Sequence, residues 1–168
     1  ARMLSNGMQA RGHTVETWTP AAVFRRLPSP RAFKKWLGYL DQFVVFPSAC
    51  RARLWRRSPD TLFVFADQAL GPWVPLVCMR PHVLHCHDFI AQKAALSPER
   101  NFSPGLTGRV YQKWIRRGYG KARNFISVSE ATRQDLHRML PHLPKISEVV
   151  YNGLNGDFSY GACSDARR

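Results

Sequence analysis

The residues best suited to chemistry crowd into Val83-Leu84-His85-Cys86-His87-Asp88-Phe89. Read as an extended strand, the segment puts His85 and His87 on one face and Cys86 on the other, because successive side chains alternate. Its apolar start suits a buried strand and its polar end suits a strand tip. In an open parallel sheet, ligands sit at the carboxyl ends of the strands. An imidazole there titrates near neutral pH and can donate or accept a hydrogen bond. His87 is therefore the candidate for direct contact with a substrate, and Asp88 is the next polar group in the loop. A plainer role also stands open, that of a structural histidine whose hydrogen bonds are satisfied. Metal binding is the weaker alternative, because two histidines and one carboxylate lack a matching downstream ligand.

Asp67 ends a second apolar run, Thr61-Leu62-Phe63-Val64-Phe65-Ala66. It suits an acid, a base or a hydroxyl binder, and equally a cap for the segment that follows. Ser127 and Ser129 do not sit in a GxSxG elbow, which argues against a hydrolase nucleophile. Ser129 is instead expected to cap a helix, with Glu130 placed favourably against the helix dipole. Asn152-Gly153 is a turn signal.

These positions need a scaffold, and the pattern supplies one. Ala1 to Arg11 looks like the end of a helix, with Leu4 and Met8 on one face and Gly12 as its cap. His13 to Trp18 reads as a strand stopped by Pro20. After a break at Leu27 to Pro30, Arg31 to Arg57 is helical, basic and aromatic, with Pro47 as a kink or a break. The next strand is Thr61 to Ala66, followed by a short helix that Pro72 and Pro75 make irregular. His82 to Cys86 is the central strand, and Phe89 to Pro104 is expected to be a long loop. A helix opens at Pro104 or Leu106, with Gly118 and Gly120 loosening its end. Asn124 to Val128 is a strand, Ser129 to Pro141 holds a helix, and Ile146 to Tyr151 is the last strand. Tyr160 to Arg168 has no periodicity and is expected to be disordered. Alternation of this kind predicts a doubly wound α/β sheet, mostly parallel. The chain opens with a helix already under way, so a strand and any Gly-rich loop are expected upstream of Ala1.

Composition bounds the function. The chain has 168 residues, 45% of them hydrophobic, which is enough for one globular domain with a core. Its 25 Lys and Arg against 11 Asp and Glu give a net charge of +14, which points to an anionic partner. Cys50, Cys78, Cys86 and Cys163 form no CxxC pair, so reduced thiols are expected. No run approaches the ~20 apolar residues of a spanning helix. Arg31 to Arg57 suits either a helix on an anionic membrane surface or an ordinary amphipathic helix with a solvated basic face. Nucleic acid is disfavoured, because no zinc-finger spacing, RNP motif or recognition helix is evident.

Four motifs in order resemble one family. They are Gly12-His13-Thr14-Val15, Val83 to Asp88, Ile126-Ser127-Val128-Ser129-Glu130-Ala131-Thr132-Arg133-Gln134-Asp135-Leu136, and Val149-Val150-Tyr151-Asn152-Gly153-Leu154-Asn155. Together they are similar to the amino-terminal half of family 4 retaining glycosyltransferases. The resemblance implies a Rossmann-like half of a GT-B architecture over residues 1–158, with 159–168 as a tail. The paired donor-binding domain, its paired glutamates and its basic residues are not in this sequence.

By this resemblance His87 faces the reacting sugar, and Asp88, Ser129, Asn152 and Gly153 are candidate substrate-binding residues; Asp67 joins them from its own place at the end of the Thr61 to Ala66 run. The partners implied are a nucleotide-sugar donor and a glycan or lipid-linked acceptor. Transfer would retain configuration with neither cofactor nor metal. The setting implied is cytoplasmic, at the inner membrane face where Arg31 to Arg57 attaches. The chain alone is expected to be inactive. A different reading is a non-enzymatic basic α/β module that binds nucleic acid or an anionic membrane surface.

Overall fold

The computed structural model describes residues 2–96 and 105–153. Among the described residues, four parallel strands form one sheet in the order β1-β2-β3-β4: β1 (Phe63–Phe65), β2 (His82–Cys86), β3 (Asn124–Ser127) and β4 (Ile146–Val149). Parallel neighbours need crossovers, and right-handed crossovers in a monotonic order all lie on one face. That face is where the core sits. Val74, Leu84, Cys86, Phe89, Ile115, Tyr119, Ala122, Phe125 and Leu136 pack there as one buried cluster. Each fully buried large side chain in it contributes about 1.5–3 kcal/mol. The opposite face carries Val64, Val83, His85 and Ile126, which are half-buried to exposed. The architecture is the Rossmann-like parallel α/β class expected from the sequence.

The helices follow from local chemistry. α1 (Arg2–Gln9) ends as predicted at Gly12, whose φ of 83° is cheap only without a Cβ. The His13 N–H bonds the Met8 carbonyl and the Gly12 N–H bonds that of Gln9, which is a Schellman cap.

His13 to Trp18 is not a strand, contrary to the expectation. Its β-branched residues favour extension, but among the described residues no ladder partner pairs with it. Trp18 instead packs edge-on against Phe63, 5.6 Å between ring centroids.

The basic segment forms α2 (Arg31–Leu40) and α3 (Phe46–Leu54), joined by a π-helical turn over Asp41–Val45. Pro47 explains the join: it has no N–H to give and its ring would clash with the carbonyl four residues back. Widening the turn before it relieves both problems, and the Phe46 N–H reaches back to the Asp41 carbonyl. Asp41 is buried, and its carboxylate accepts from the Phe24 N–H at 2.8 Å and the Arg25 N–H at 2.9 Å. Burial pushes its pKa up, but the backbone donors of Arg25, Phe24 and Val23 outweigh that and hold it below the usual value.

Between β1 and β2 runs a 3-10 helix, Gln68–Leu76, irregular as Pro72 and Pro75 require. The segment after β2 corrects the expectation of a long loop. α4 (Ile90–Leu96) forms there, because Asp88 Oδ1 accepts the Ile90 N–H at 3.0 Å and the run is rich in alanine. Residues 97–104 and the tail 159–168 lie outside the described residues.

α5 (Leu106–Tyr119) and α6 (Glu130–Met139) complete the layer. Gly118 does not loosen the end of α5. It is buried against Gly71, where the two backbones meet too closely for a side chain on either residue.

Candidate functional site

The register brings three strand ends together. Phe65 pairs with Leu84, and Cys86 with Ser127. Past those ends lie Ala66 and Asp67, His87 and Asp88, and Val128 and Ser129. His87 is exposed at the tip of β2, so the ring is not packed inside.

Its imidazole Nε2 lies 2.9 Å from the Ala66 carbonyl oxygen. A carbonyl only accepts, so Nε2 carries the hydrogen. The neutral ring then has its lone pair on Nδ1. The His87 backbone is held as firmly. Its N–H donates to Gln68 Oε1 at 3.0 Å, and its carbonyl accepts from Thr132 Oγ1 at 3.1 Å. Gln68 Nε2 also donates to the Asp88 carbonyl. Neither Gln68 nor Thr132 was singled out from the sequence. The clue was only that each has an amide or hydroxyl in the first turn of an element bordering the tip.

The other predicted positions are drawn into helix starts. Asp67 Oδ1 accepts the Ala69 N–H at 2.7 Å, capping the 3-10 helix. Asp88 starts α4. Ser129 Oγ accepts the Thr132 N–H at 3.1 Å, capping α6 as expected. Each cap takes one oxygen and orients the residue at the rim. Asn152 and Gly153 follow β4 and are exposed. Among the described residues neither bonds to the His87 loop.

Two neighbours shape the electrostatics. His85 lies 5.6 Å ring to ring from His87, and burial first, then the charge on His87, lowers its pKa from 6.5. The buried Cys86 thiol is pushed strongly up by burial and then by Asp67, so it stays protonated and inert. Below the loop a hollow of about 60 Å³ is lined by Gln68, Asp88, Gln92 and Gln112 among others. Gln92 accepts from the buried Tyr119 hydroxyl at 2.7 Å. Among the described residues no three His, Cys, Asp or Glu side chains come together as a metal site.

The exposed imidazole, whose Nδ1 bonds none of the described residues, stands at the end of a central parallel strand, where open α/β sheets bind their ligands. The family model of Glycosyltransferase Family 4 matches residues 1–158. The chain belongs to that family. No curated protein and no solved structure matches the chain. Glycosyltransferase Family 4 membership accounts for the order of elements from α1 to β4 and fits a general role in sugar transfer.

Proposed function

We propose that this chain is the acceptor-side half of a retaining, nucleotide-sugar-dependent glycosyltransferase. The observation that carries the reading is the exposed His87 ring, tethered through Nε2 at the tip of a central strand. In the reaction, the bond from the anomeric carbon to the departing phosphate breaks. A bond to the acceptor oxygen forms on the same face, and the acceptor proton goes to the phosphate. His87 touches the reacting sugar and accepts a hydroxyl hydrogen bond on Nδ1. Asp67, Asp88 and Ser129 line the rim, and Asn152-Gly153 leads toward a donor-binding domain outside this sequence. Alone the chain does not turn over, because a transferase must hold donor and acceptor together.

The acceptor is a glycan or a lipid-linked sugar, and the working place is an anionic membrane surface on the cytoplasmic side. Favouring this, α2 exposes Phe33, Trp36 and Leu40 along one stripe, 61%, 65% and 41% accessible. Such a stripe costs free energy in water and suits a lipid interface, with Arg31, Lys34 and Lys35 on the same helix for anionic headgroups. No helix among the described residues is long and apolar enough to cross a membrane.

Fusing the chain through Asn152-Gly153 to the donor-binding half of a family member tests the reading. Transfer from a nucleotide-sugar by the fusion, and none by the chain alone, is expected. Turnover by the chain alone, or none by a folded fusion that binds its donor, overturns it.

A further inference from the structure

We propose that Gln68 is a positioning residue that fixes the tautomer and reach of His87, so that Nδ1 is the acceptor offered to a sugar hydroxyl. The inference rests on the functional reading above for its ligand, but its geometry stands apart from it.

The β1–β2 ladder pairs Phe63 with His82, Val64 with Val83 and Phe65 with Leu84. Continuing that register would set Gln68 opposite His87. The backbone cannot continue, because Asp67 caps the 3-10 helix and turns the chain away. The Gln68 side chain carries the ladder on instead. Its Oε1 accepts the His87 N–H, as a strand neighbour's carbonyl would, and its Nε2 donates to the Asp88 carbonyl, tying down the start of the loop as well. On the other flank, Thr132 takes the His87 carbonyl. The Thr132 hydroxyl also lies 2.9 Å from Ser129 Oγ, and the residue is 7% exposed, so that flank is rigid.

With the backbone pinned on both sides, the imidazole reaches the Ala66 carbonyl through Nε2–H. Nδ1 bonds none of the described residues. The half-buried Gln68 amide satisfies two backbone groups at once and resists rotation, because turning it leaves both without this partner. A substrate-facing ring then arrives already oriented and in one protonation pattern, which lowers the cost of reaching the reactive geometry.

The test is the tautomer of His87 in the 15N-labelled chain at pH 8, read from long-range 1H–15N correlations. Wild type is expected to show a pyrrole-type Nε2 and a pyridine-type Nδ1. Gln68→Leu is expected to give averaged shifts for both nitrogens. Gln68→Glu keeps the shape and the acceptor but loses the donor, and is expected to fall between. If Gln68→Leu fails to fold, Gln68→Glu carries the comparison alone. A pyridine-type Nε2 in wild type overturns the proposal, as do unchanged His87 shifts in the folded variants. In the fusion enzyme Gln68→Glu is expected to lower kcat roughly tenfold with KM little changed, the mark of lost orientation. An inactive fusion with the expected tautomers would reject the sugar-transfer reading and leave the positioning role standing.

Discussion

A Cβ on Gly118 would stand 2.1 Å from the carbonyl oxygen of Gly71, and one on Gly71 would stand 2.3 Å from that of Ile115. The two glycines let α5 and the 3-10 helix touch backbone to backbone. That contact fixes the start of the 3-10 helix, and so Gln68 and Asp67, against the core. Both groups in the way are backbone, which cannot swing aside. Gly118→Ala is therefore expected to destabilise the domain by about 3 kcal/mol, read as a lower midpoint in urea. An unchanged midpoint would show that the approach is not as close as described.

Acid should loosen the sheet face that carries His85. Its folded pKa is lowered from 6.5 by burial and by His87. The unfolded chain therefore binds the proton more readily. The resulting loss of stability begins as pH falls through 6.5 and is complete below the folded value. His85→Gln removes this part of the dependence. The urea midpoint of the variant is expected to fall less than that of wild type between pH 8 and pH 5. Parallel curves would refute the assignment.

Membrane attachment predicts flotation with vesicles containing phosphatidylglycerol and not with phosphatidylcholine alone. Each cation near an anionic surface contributes about 1 kcal/mol, so Lys34→Glu with Lys35→Glu should abolish binding, as should high salt. Phe33→Ser with Trp36→Ser should weaken binding without changing the folded spectrum. Equal flotation with both lipids would remove the proposal.

Much of this architecture was legible because the signals were local. Ser129 followed by Glu130, and Gly12 after a helical run, each carry their own instruction. His13 to Trp18 failed because extension is only half of a strand; the other half is a partner, which sequence spacing does not supply. Residues 90–96 were missed because Asp88 was weighed as chemistry and not as a cap. Gly118 looked like a weak helix end, since its meaning comes from Gly71, distant in the chain.

The exposed place of His87 at the tip of β2 was legible from strand pattern and residue type. The groups that hold it were not. Gln68 lies 19 positions from it and Thr132 lies 45, and each acts on backbone atoms that every residue possesses.

The most direct measurement is the rate of sugar transfer by the fusion enzyme with His87 replaced. His87→Ala is expected to lower kcat/KM by roughly a hundredfold or more, with the unfolding midpoint and donor binding retained. Transfer at the wild-type rate by a folded His87→Ala enzyme would contradict the account.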